Sequence, residues 1–221
     1  MHHALAADLA AMMSPADREA VSVFVRVMAE EYASFYKAYW RSGARVREDA
    51  RAAFERFWNA HGRAAASRII DSQPFASTAV VLSETIWKNG RGVQLGQAGG
   101  AIVPLPEPSA SPYPSYFTAV HELTHVLSDL IVLGAIGMDR SSVSISQQDR
   151  AGFQIHSMLE AGAIVADFLV FQAAGGEWTR QYLDAVSRWV GQHLGGEADF
   201  HRFFSLDPKV SKALREAFGT P

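Results

Sequence analysis

The residues best equipped for chemistry are His121, Glu122 and His125, in the run Tyr116-Phe-Thr-Ala-Val-His-Glu-Leu-Thr-His-Val-Leu-Ser-Asp-Leu130. Their spacing is HExxH. On an α-helix, positions four apart lie about 40° apart around the axis and about 6 Å along it. His121 and His125 therefore share one face, and their imidazoles can hold one Zn²⁺ at about 2.0–2.1 Å. Glu122 lies about 100° round from His121. There it can take a proton from water on the metal without being a ligand, as a general base must. The apolar flanks Phe117, Val120, Val126 and Leu127 predict a half-buried helix. The competing explanation is a pair of helix histidines that only hydrogen-bond in the core.

Catalytic zinc takes three protein ligands and leaves one position open. A third histidine at metzincin spacing would fall on position 131, which is Ile131, and position 128 is Ser128, so that arrangement is excluded. Glu160 is the stronger candidate. It lies in the apolar run Phe153 to Phe171, where Asp167 is the only other formal charge. A carboxylate buried there without a cation is costly, and an arginine would be the alternative partner. The small residues Ala161, Gly162 and Ala163 would let this helix approach the motif helix closely.

Two further carboxylates could orient the ligand histidines by accepting from their second ring nitrogens. Asp167 shares the Glu160 face, and Asp129 shares the face of His121 and His125. His156 sits one turn before Glu160, as a possible ligand, transition-state donor or polar packing residue. His193, His201 and Tyr182 are open as oxyanion donors.

The elements that must position these groups are mostly helical. Ser14-Pro15 reads as a helix start, followed by Val21, Val25, Met28, Tyr32, Phe35 and Tyr39 as an a/d seam up to Gly43. That seam would pack on the domain's own core or on a second copy. The Ala-rich residues 1–13 read as helix. A second helix spans 45–61, with Val46, Ala50, Ala53, Phe54, Phe57 and Trp58 inward; Gly62 ends it and His61 caps it. Residues 77–87 read as a strand, 88–92 as a turn, 93–96 as its return, and 101–105 as a third strand. Pro104 there favours an edge or a strand end. A proline-rich connector, 104–114, leads to Ser115 as the motif helix N-cap. Beyond that helix, 135–151 reads as a polar loop that could act as a lid. Helices are expected over 153–174, over 177–194 closed by Gly195-Gly196, and from Asp207-Pro208 to Gly219.

The fold class expected is α+β, mostly helical, with a small antiparallel sheet before the motif helix. The chain reads as one domain over 1–221: a helical lobe (1–65), a zinc-site core (66–175) and a helical C-terminal part (176–221). With 221 residues, 48% of them hydrophobic, a core can form, and a net charge of −3 without a basic run suggests neither nucleic acid nor membrane as partner. Cysteine is absent, so thiolate ligands and cysteine nucleophiles are excluded. The N-terminus does not read as a signal peptide, and no run long enough to span a membrane is apparent. Compartment stays open, with cytoplasm the default if Met1 is native. Oligomeric state is not legible.

His121-Glu-Leu-Thr-His125, with Asp129 four residues on, resembles the active-site helix of the gluzincin metallopeptidases. The resemblance covers about residues 93 to 170. It implies that His121 and His125 ligate zinc, Glu122 acts as base and Glu160 completes the site. It also implies a sheet whose edge strand, within 93–104, holds extended substrate. Two features depart from the family: an aspartate four residues after the ligand glutamate is replaced by Ile164, with Asp167 the nearest substitute, and the gap between motif and glutamate is longer. The function expected is zinc-dependent peptide hydrolysis on a peptide or protein substrate. A zinc hydrolase or lyase with a non-peptide substrate and a non-catalytic zinc module are the alternatives.

Overall fold

The computed structural model describes residues 14, 17–86, 89–95, 97–107, 110–138 and 150–219. The predicted helix over 1–13 and most of the 135–151 loop lie outside them. The chain divides into two compact units, Met1–Asp49 and Ala50–Pro221.

The first unit is a helical run: α1 (Arg18–Glu31), a π-helical turn (Tyr32–Tyr36) and α2 (Lys37–Ser42). Asp17, not Ser14, holds the N-cap position. The run ends at Gly43, as the sequence indicated, and Arg47 stacks 4.0 Å over the Trp40 ring. Met28, Tyr32, Phe35 and Tyr39 of the seam are exposed.

The second unit begins within α3 (Ala44–Phe57), whose Ala50 and Phe54 are buried. Val46 is exposed, not inward. Gly62 does not end this stretch. The chain continues through a π turn (Trp58–Gly62), α4 (Arg63–Ala65) and α5 (Ser67–Ile70). Glycine is needed at 62 for packing: a Cβ would lie 2.7 Å from Tyr116 Cε2, and the Tyr116 hydroxyl donates to the Gly62 carbonyl at 2.8 Å. His61 therefore caps no helix end.

Three strands follow: β1 (Ser77–Ser83), β2 (Arg91–Leu95) and β3 (Ala98–Pro104), in the order β1-β3-β2. The sheet is mixed, not wholly antiparallel. β1 pairs parallel with β3 and β2 pairs antiparallel with it. The expected β1–β2 hairpin does not form, because Arg91 and Gly92 belong to β2 itself and the tight connection lies between β2 and β3. β3 takes the central place because it is apolar and narrow. Ala101 and Val103 are fully buried, and a side chain at Gly100 would strike the Ala79 carbonyl of β1. Pro104, at the end of β3 opposite Ser83, closes the ladder.

Behind the sheet stands α6 (Tyr113–Ala135), and α7 (Arg150–Ala174) packs against α6. Pro112 holds the α6 N-cap position, while Ser115 lies buried in the first turn. Both helices are apolar nearly all round, so both are core. By length and composition Gln154–Ala174 could cross a membrane, but Leu159, Ala163, Ala166, Phe168 and Phe171 are buried in the core. The two helices run in opposite directions, since residue 121 meets 167 while 132 meets 162. They approach closely at Gly162, where a Cβ would come 2.5 Å from Val132 Cγ2.

α8 (Gly176–Val190), α9 (Glu197–Phe203) and α10 (Pro208–Phe218) complete the unit. α8 ends at Gly191 in a left-handed turn (φ 68°), not at Gly195-Gly196. Asp207 caps α10 by accepting from the Lys209 N–H at 2.8 Å, as Asp207-Pro208 predicts. Tyr182, Ala185 and Val186 of α8, with Val210 and Leu214 of α10, are buried in the same core.

Candidate metal centre

α6 carries His121 and Glu122 on its third turn and His125 on its fourth, and α7 brings Glu160 and Asp167 opposite. Nε2 of His121 and Nε2 of His125 are 3.3 Å apart. Oε2 of Glu160 lies 3.4 Å from the first and 3.6 Å from the second. Among the described residues these three form the group with donor atoms close enough to hold one metal ion.

The other ring nitrogens are held by carboxylates. Asp167 Oδ2 lies 2.9 Å from His121 Nδ1, and Asp129 Oδ1 lies 3.0 Å from His125 Nδ1. With each Nδ1–H donating to its carboxylate, each Nε2 presents a lone pair towards the other and towards Glu160. Three lone-pair donors facing one another repel unless a cation or protons stand between them. Two ligands of a tetrahedral zinc, each at about 2.0–2.1 Å, are about 3.3–3.4 Å apart. The observed separations, 3.3, 3.4 and 3.6 Å, are close to those of three such ligands, so the residues fit zinc.

Without a metal, protons take that place. Burial opposes charge on His121, but hydrogen bonds with Asp167 and Glu160 outweigh it and raise its pKa to about 9. His125 is raised to about 10 against burial by Asp129 and Glu160. The two histidines in turn hold the Glu160 carboxyl far below the usual carboxylate range.

The sequence makes Glu160 a buried charge in need of a partner; in the structure its side chain is instead 41% exposed. Asp167 is the fully buried carboxylate. It is satisfied by His121, by the Thr124 hydroxyl at 2.5 Å and by the Tyr182 hydroxyl at 3.1 Å. Glu160 is accessible because it borders a cleft. The side chains paired with it are His121, His125 and His156; no arginine pairs with it among the described residues.

The cleft encloses about 700 Å³, between Gly90 and Arg91 on one side and His121, Glu122, His156, Glu160, Ile164 and Trp189 on the others. The Trp189 ring stands 5.6 Å from that of His121. Nε2 of His156 is 3.7 Å from Glu160 Oε1, which leaves it at the rim as a polar group facing the cleft. Tyr182 is fully buried, and its hydroxyl lies 3.1 Å from both Asp167 Oδ2 and the Ile164 carbonyl, so it holds Asp167 in place and does not face the cleft. His193 and His201 do not line the cleft; His201 packs against Phe168 and Phe200.

Sequence reasoning missed two groups: Trp189, and the backbone of Gly92, whose N–H donates to Oε2 of Glu122 at 2.7 Å. Trp189 had no signal beyond its type, and a backbone donor has none. No protein-family model, curated protein or solved structure matches the chain.

Proposed function

We propose that the chain is a zinc-dependent metallopeptidase, with His121, His125 and Glu160 as ligands and Glu122 as general base. One observation carries this reading: two Nε2 atoms and a carboxylate oxygen converge at ligand-to-ligand spacing, in an open cleft that also contains a carboxylate that is not a ligand. A structural zinc is closed by four protein ligands and has no use for the base.

When bound, zinc supplies a Lewis acid that polarises a carbonyl and lets water ionise near neutral pH. The residues do the rest. Asp167 and Asp129 hold both imidazoles by their Nδ1–H groups, so Nε2 is the free nitrogen in each. Glu122 accepts the proton from the attacking water and delivers it to the leaving amine. His156, at the rim, donates to the oxyanion of the tetrahedral species. Trp189 and Ile164 exclude water from one side of the cleft.

A peptide suits the cleft better than a compact substrate because one wall is the approach to β2, one of the two outer strands of the sheet. An outer strand offers unpaired backbone groups to an extended chain. The test is hydrolysis of a mixed peptide library by the zinc-loaded protein and by Glu122→Gln. Cleavage by the first, with zinc retained and cleavage lost in the second, supports the proposal. Equal cleavage by both removes Glu122 as the base.

A further inference from the structure

β2 meets the motif helix at Glu122. The Gly92 N–H donates to Oε2 of that residue at 2.7 Å. In an antiparallel pair, backbone groups alternate between the partner strand and the other edge. Gly92 stands opposite Ala101 of β3, and its N–H is given to Glu122. Its polar edge therefore faces the cleft.

Two residues earlier, Gly90 is buried. A Cβ there would lie 2.6 Å from Glu122 Cγ, 2.8 Å from Glu122 Oε1 and 2.8 Å from Thr118 Cγ2. Any side chain at 90 would occupy the volume that Glu122 fills. Neither Gly90 nor Gly92 has a positive φ, so backbone conformation does not require glycine at 90; the space does.

We infer that Gly90 and the Gly92 amide form a cradle that positions the Glu122 carboxylate. Gly90 leaves the room and Gly92 supplies the hydrogen bond. This rests on the reading of Glu122 as base and adds how a long, flexible side chain is kept in one place. A base held in advance has no orientational freedom to lose in the transition state. Gly90 and Gly92 act through Glu122 and are positioning residues.

The test uses the full chain and two readouts. The first needs no metal and no substrate. Gly92 is exposed, so its amide is protected from hydrogen exchange only by Glu122. Exchange at Gly92 should quicken at least about tenfold in Glu122→Ala and in Gly90→Ala. The second readout uses the zinc-loaded protein on peptides that the wild type cleaves. Gly90→Ala should retain zinc and KM and lose kcat by on the order of 10²-fold. A purely structural role for Gly90 would weaken zinc binding or raise KM together with the loss of kcat. An unchanged Gly92 exchange rate in Glu122→Ala, or wild-type kcat in Gly90→Ala, overturns the inference. If Gly90→Ala fails to fold, the Glu122→Ala exchange measurement still decides. If Glu122→Gln keeps wild-type turnover, the base reading fails, while the exchange rate continues to judge the cradle.

Discussion

Asp167 Oδ2 lies 2.9 Å from Nδ1 of His121, across 46 residues of sequence. That contact joins the two core helices at the candidate metal centre, and it makes Asp167 both a fold residue and a site residue. The carboxylate has no exposure and three partners, His121, Thr124 and Tyr182.

Replacing Asp167 with Asn should leave a folded protein whose zinc affinity falls about 10–100-fold, the usual cost of losing a partner behind a ligand histidine. Competition against a chelator of known affinity measures it. Asp167→Ala should also cost about 3–5 kcal/mol of stability, since it strands buried polar groups; urea unfolding measures that. Unchanged zinc affinity in Asp167→Asn would separate this residue from the metal.

Protons and zinc should compete for the same nitrogens. In the metal-free protein His121 and His125 are raised to about 9 and about 10. Raised pKa values mean that the folded state holds these protons more tightly than the unfolded state. The stability they contribute is complete below about pH 6.5. It is lost as pH rises through 9 to 10. The metal-free melting temperature should therefore fall over that window. Glu160 is depressed and acts in the opposite sense: its contribution is present above the ordinary carboxylate range and is lost in acid. Zinc binding near pH 7 should release protons, and titration calorimetry in buffers of different ionisation enthalpy would register them. A binding enthalpy independent of buffer would contradict it.

The two core helices approach closely at Gly162, two residues from Glu160. Gly162→Val places a branched side chain where a single Cβ already comes 2.5 Å from Val132 Cγ2. The expected outcome is about 1–3 kcal/mol of destabilisation, with weaker zinc binding as the helices separate. Chemical denaturation and chelator competition check the two effects together. A loss of stability with full zinc affinity would show that the site tolerates the separation.

Much of this site is legible in the sequence because helical spacing is local. HExxH needs no tertiary information to place His121 over His125, and Asp129 follows from the same turn. Small residues at 161–163 pointed to a close helix pair, and the contact at Gly162 is of that kind. The sheet was less legible. Strand runs show in β-branched composition, but pairing is decided by which strand is narrow enough to be central, and the third strand, read over 101–105, begins at Ala98 and takes in the glycines at 99–100. Gly62 shows the same ambiguity, since a glycine that admits Tyr116 has the same letter as one that ends a helix. Glu160 was selected by an argument from burial that applies to Asp167. One-dimensional hydrophobicity cannot tell which turn of an apolar helix faces a cleft.

The most direct test is zinc content of the purified, undialysed chain by mass spectrometry, beside Glu160→Ala. Close to one zinc per chain is expected in the wild type and clearly less in the variant. No zinc in the wild type after reconstitution would contradict the metal centre and the activity built on it.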